Sequence, residues 1–113
     1  MHQQKSGNVY FIGQQDGLIE IEFTSQVSVF LEDSGTRATA YLCRLHYGTP
    51  DQVSVAVCIA SPDGEQMGVV NGISSIFQKM FGQHEHLDII FVDNDQQSSI
   101  SDVCEPFYQS SDC

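Results

Sequence analysis

The 113-residue chain is predicted to be a single α+β domain, a mainly antiparallel sheet packed on one amphipathic helix, closed by a short helical or irregular C-terminal tail. Three observations predict this. Apolar and polar residues alternate over several short stretches, the period of a half-buried strand. One stretch, from about Gln66 to Phe81, instead repeats Val69, Val70, Ile73, Ile76, Phe77 and Met80 at helical spacing. The apolar fraction is 41%, enough at this length to close one core without disulfides or a structural metal, so residues 1–113 are taken as one unit.

Taken in order, Asn8 to Ile12, Leu18 to Phe23 and Gln26 to Glu32 read as three strands of an antiparallel meander. The turn chemistry of Gly13 to Gly17 and the polar pair Thr24-Ser25 separate them. In the second segment Ile19, Ile21 and Phe23 alternate with Glu20 and Glu22, which predicts one buried and one wet face. The third sets Val27, Val29 and Leu31 on one side and leaves Phe30 as an apolar residue on the other, where it would cover a second small core or an interface.

After a turn at Asp33-Ser34-Gly35-Thr36, Arg37 to Tyr47 and Gln52 to Ala60 read as a central hairpin joined by Gly48-Thr49-Pro50-Asp51. Its second arm puts Val53, Val55, Val57 and Ile59 on one face, and small uncharged residues on the other. Both faces are therefore expected to be covered. Ser61-Pro62-Asp63-Gly64 ends the hairpin, the helix follows, and Gly82 is placed as its C-cap. Within the helix Gly68 and Gly72 each weaken it by about 1 kcal/mol relative to alanine, which marks close approach of its backbone to the sheet. Leu87 to Val92 is apolar at both parities and reads as a buried, central strand; Asp93 to Ser99 reads as a polar loop, and Ser101 to Tyr108 as the tail.

Charge narrows the function. Fifteen acidic residues stand against four basic ones, a formal charge of -11, which repels nucleic-acid phosphates and anionic lipid; neither nucleic acid nor membrane is expected as a direct partner. No apolar run reaches the length of a membrane span and the N-terminus lacks a signal-peptide core, so a cytoplasmic location is expected. Cys43, Cys58, Cys104 and Cys113 form no Cys-x-x-Cys pair, which argues against a zinc ribbon or a dithiol redox site. Cys43 and Cys58 lie in strand patterns and are read as buried thiols, and the terminal Cys113 as an exposed one.

From Ala40-Tyr41-Leu42 through the valine-rich strand, the amphipathic helix and Leu87-Asp88-Ile89-Ile90-Phe91-Val92-Asp93 to the closing Glu105-Pro106-Phe107-Tyr108, the chain resembles the C-terminal domain of the SseB (enhanced serine sensitivity) family. The resemblance covers roughly residues 36 to 109. It implies a small non-enzymatic domain and brings no catalytic residues with it.

The residues themselves supply three readings. The first is a non-catalytic domain that binds another protein or itself as a homodimer, with no cofactor, through Phe30, Tyr41, Tyr47, Phe107 and Tyr108, since aromatic residues concentrate at interface cores. A second is a small-ligand-binding domain with an apolar pocket between sheet and helix. The third is a metal-dependent hydrolase using His84, His86 and Asp88, whose alternate spacing on a loop and strand start would bring three ligands together; a solvated helix-to-strand connection explains the same residues more simply. Asp93-Asn94-Asp95 begins like a calcium loop, but Ser98 replaces the required glycine and Cys104 the bidentate glutamate. His46 lies three residues from Cys43 and so on the opposite strand face, a poor catalytic pair.

Overall fold

A computed structural model describes residues 4–6, 9–14, 17–48, 51–64, 66–82 and 87–110. The predicted hairpin is its centre: β3 (Thr39–His46) pairs antiparallel with β4 (Ser54–Ala60), from Thr39 opposite Ala60 to Leu45 opposite Ser54. On the other side of β3 lies β2 (Val9–Gln14), with a register shift between Phe11 and Gly13, and outside that β1 (Gln4–Ser6). Beyond β4 the sheet, among the described residues, ends with β5 (Asp88–Phe91), the one strand there that runs parallel to its neighbour. Leu87 to Val92 is thus an edge strand rather than a central one. Its apolar residues at both parities have another cause, because helices cover both faces of the sheet.

The chain between β2 and β3 departs from the expected meander. Leu18–Asp33 is a single helix, α1, in place of two strands. Phe23, Val27 and Leu31 recur every four residues on its buried face, the helical period that decides the packing. The strand-like alternation arose from Ile19, Ile21 and Val29, which are exposed. Thr24, read as part of a turn, donates its hydroxyl to the Ile21 carbonyl within the helix at 3.1 Å. The expected helix is present as α2 (Met67–Phe81), and Gly82 ends it with a φ of 86° and its N–H on the Gln78 carbonyl.

Helices α1 and α2 pack together on one face of the sheet, burying Leu42, Val57 and Ile59 beneath Phe23, Val27, Leu31 and Ile73. Phe23 meets Phe77 and Phe81 edge-on at 5.8 and 5.9 Å between ring centres. Gly72 marks a close approach, but to Phe30 of α1 rather than to the sheet, while Gly68 faces nothing within 4 Å. The predicted polar loop after β5 is a third helix, α3 (Asn94–Ser101), which covers the opposite face over Phe11, Tyr41, Leu45, Ala56 and Cys58. Its start is fixed by a capping box: Asp93 Oδ1 accepts the Gln96 N–H at 2.8 Å, and Gln96 Oε1 accepts the Asp93 N–H at 3.1 Å.

The tail is irregular from Asp102 to Phe107, as expected. It ends in a short strand, β6 (Tyr108–Gln109), which pairs antiparallel with Thr39 and Ala40 of β3, beyond the end of β2. The result is a compact mixed sheet with helices on both faces, α+β in class and mostly antiparallel. Among the described residues no helix is long and apolar enough to cross a membrane.

Candidate functional site

The most unusual surface lies on α1. At 100° per residue, Leu18, Ile21, Ser25 and Val29 fall on one stripe pointing away from the sheet. Leu18 is 90% exposed, Val29 58% and Ile21 57%. The same geometry puts Glu22 and Asp33 on one flank of the stripe and Glu32 within it, with no basic residue anywhere in the helix. Beside the stripe runs a groove of about 520 Å³ between α1 and α2, floored by Phe30 and Ile76 and bounded by Gln26 and Asp33. A helix with apolar residues on both its inner and its outer face is half-satisfied by the core it packs on.

The residues expected at an interface are dispersed. Phe30 stands in that groove, its ring seated against Gly72. Tyr41 is buried on the other side of the sheet, its hydroxyl bonded to Ser101 at 3.1 Å and Gln97 at 3.3 Å, and it belongs to the core. Phe107 and Tyr108 pack against the α1–α2 core, where the Phe107 N–H reaches the Ala40 carbonyl and the Tyr108 hydroxyl the Thr36 carbonyl at 3.2 Å. Their rings close the domain. Tyr47 is half-exposed at the far end of β3 and donates to Asp88 Oδ2 at 2.9 Å, across β4.

That bond gives a pH dependence with a definite sign. Partial burial, then the adjacent Asp88 carboxylate, push the Tyr47 phenol up from 10.0 to about 12. A group whose folded pKa is raised stabilises the fold below its unfolded pKa, so this contribution is complete below pH 10 and lost between about 10 and 12. Ultraviolet titration should find Tyr47 ionising late, alongside Tyr108, whose phenol burial also pushes up, and Asp88→Asn should bring Tyr47 alone back toward 10.0. A Tyr47 that ionises like a free phenol in the wild type contradicts the geometry.

Of the metal candidates, Asp88 is engaged by Tyr47, and His84 and His86 lie outside the described residues. Among the described residues no group of three or more His, Cys, Asp or Glu is arranged to hold a metal ion. Asp93, read as the start of a cation loop, caps α3 instead.

Three thiols do converge. Cys43, Cys58 and Cys104 are all buried and reduced in one apolar cluster under α3, while Cys113 lies outside the described residues. The hydrogen bond between Cys104 and Cys43 eases ionisation of Cys43 and opposes that of Cys104; burial pushes Cys58 well up. His46 offers them no base. It lies on the opposite face, stacked on Tyr10 at 4.6 Å with its Nδ1 accepting the Gly48 N–H.

A narrow apolar pocket of about 190 Å³ does open between sheet and helices, walled by Phe23, Leu42, Val55 and Phe81. It is well below the usual size of a small-molecule site, about 300–1,000 Å³. The α1 stripe itself was legible as residues at i, i+3, i+7 and i+11, a spacing hidden by the competing alternation of Ile19 to Phe23. Compared with known protein families, curated proteins and solved structures, the chain finds no match.

Proposed function

We propose that this chain is a non-catalytic, cytoplasmic protein-binding domain whose contact surface is the outer face of α1 and the groove beside it. The observation that carries the reading is the stripe of Leu18, Ile21 and Val29, exposed on a helix whose other face already fills the core. Its partner is a basic amphipathic helix, with apolar side chains set into the groove and Lys or Arg against Glu22, Glu32 and Asp33. Charge is the reason for choosing a basic partner over a second copy. Two chains of -11 meeting α1 to α1 would bring these carboxylates face to face. The resemblance to the SseB C-terminal domain agrees with a non-enzymatic role and names no partner.

The test uses a fluorescent peptide of Leu and Lys at helical spacing, read by anisotropy. Leu18→Asn with Val29→Asn leaves the charge unchanged and should weaken binding at least about tenfold, the loss expected when two apolar anchors worth 1–2 kcal/mol each are removed. Unchanged binding would mean bare charge attraction and overturn the proposal. Light scattering should give a monomer; a dimer dissolved by the same substitutions would replace the basic partner with a second copy.

A further inference from the structure

The connections leaving β4 and β5 diverge. These two strands are parallel neighbours, but β4 leads through Ser61 and Pro62 to α2 on one face of the sheet, whereas β5 leads through Asp93 to α3 on the other. Where adjacent parallel strands send their chains to opposite faces, a crevice is left at their carboxyl ends, the place at which open α/β sheets take their ligands. Such a crevice is present here, a cleft of about 530 Å³ that both exits line.

Its lining is polar and carries both signs of charge. Arg37, just before β3, and Asp93, just after β5, stand on the cleft with Thr39, Asn94 and Gln97. Thr39 pairs with Ala60, and the Val92 N–H continues the ladder to Ile59, so Arg37 and Asp93 stand two strand spacings apart across β4. That is about 10 Å between backbones, which the two side chains reduce to the span of a small solute. The Asp93 carboxylate gives one oxygen to the α3 cap, and an ionised carboxylate can accept several further hydrogen bonds.

We propose that this crevice binds a small zwitterion with the charge separation of an amino acid, its anionic end on Arg37, its ammonium on Asp93, and its side chain against Asn94 and Gln97. A bare anion is disfavoured by Asp93 and a bare cation by Arg37. The site is separate from the α1 face, so either proposal can fail alone.

Amide NMR of the full chain, titrated with the free amino acids one at a time at millimolar concentration, tests it. At least one should give saturable shifts confined to Thr39, Ser61, Asn94 and Gln97. Acetate and methylammonium, which present each charge alone, should not reproduce them. Arg37→Gln should weaken binding about tenfold or more, as should Asp93→Asn, a substitution that preserves the helix cap. Shifts from no amino acid, equal shifts from acetate, or variants that bind as wild type would each overturn the assignment.

Discussion

Phe23→Ala is expected to lower the unfolding free energy by about 3–5 kcal/mol in a urea titration, the range for emptying a buried aromatic site. Domains of this kind are stable by about 5–15 kcal/mol, so the variant stands near the threshold of folding. The size follows from position: Phe23 is 2% exposed and faces the rings of both Phe77 and Phe81, so its removal strips a partner from each and leaves a void where α1, α2 and β3 meet. The neighbouring Ile21→Ala should change stability by no more than about 0.5 kcal/mol, as surface substitutions do, because Ile21 faces outward. Were 18–23 a strand, Ile21 and Phe23 would share a face and respond alike. Comparable losses at the two positions would therefore refute the helix.

Gly72→Ala should destabilise by about 1–3 kcal/mol, the overpacking range, although alanine is the better helix former. A methyl carbon at Gly72 would lie 2.1 Å from Phe30 Cζ and 2.5 Å from Cε2, so the ring must leave its seat or the helices must part. Gly68→Ala in the same helix meets nothing within 4 Å and should gain up to about 1 kcal/mol. Opposite signs at two glycines four residues apart isolate the contact from helix propensity. Combining Gly72→Ala with Phe30→Ala should recover part of the loss, the signature of direct coupling. Destabilisation that persists in full without the ring would place the cause elsewhere.

Where one period dominates, the sequence could be read directly. The β3–β4 hairpin, α2 and its glycine cap all combine a clear period with strong turn chemistry at their ends, and the two covered faces of β4 followed from Ala56 and Cys58 being small and uncharged. Leu18 to Asp33 carries two periods at once. Ile19, Glu20, Ile21, Glu22 and Phe23 alternate like a strand, while Phe23, Val27 and Leu31 repeat like a helix, and only the tertiary placement of α2 selects the second. The start of α3 was legible in Asp93-x-x-Gln96, a capping-box pattern masked by its likeness to a calcium loop. As for the candidate sites, the aromatic residues chosen as contacts were the right type for an interface and equally right for a core, which is where Tyr41, Phe107 and Tyr108 lie. The Arg37–Asp93 crevice had no local signal at all, since it exists only because two neighbouring strands send their chains in opposite directions.

The pairing of β6 with the start of β3 also sets an order of events in synthesis. The Tyr108 hydroxyl bonds to Thr36, 72 residues earlier, and the Phe107 and Ser110 N–H groups take the carbonyls of Ala40 and Ala38. Contacts of such long range form late, so during translation the edge from Ala38 to Ala40 stays open until Phe107 to Ser110 have left the ribosome. A nascent chain stalled before that point carries nearly all of the apolar core beside a short open strand edge, which is a template for pairing with another chain. Phe107 to Ser110 thus act on the fold as a timing element, deciding when the edge ceases to be available.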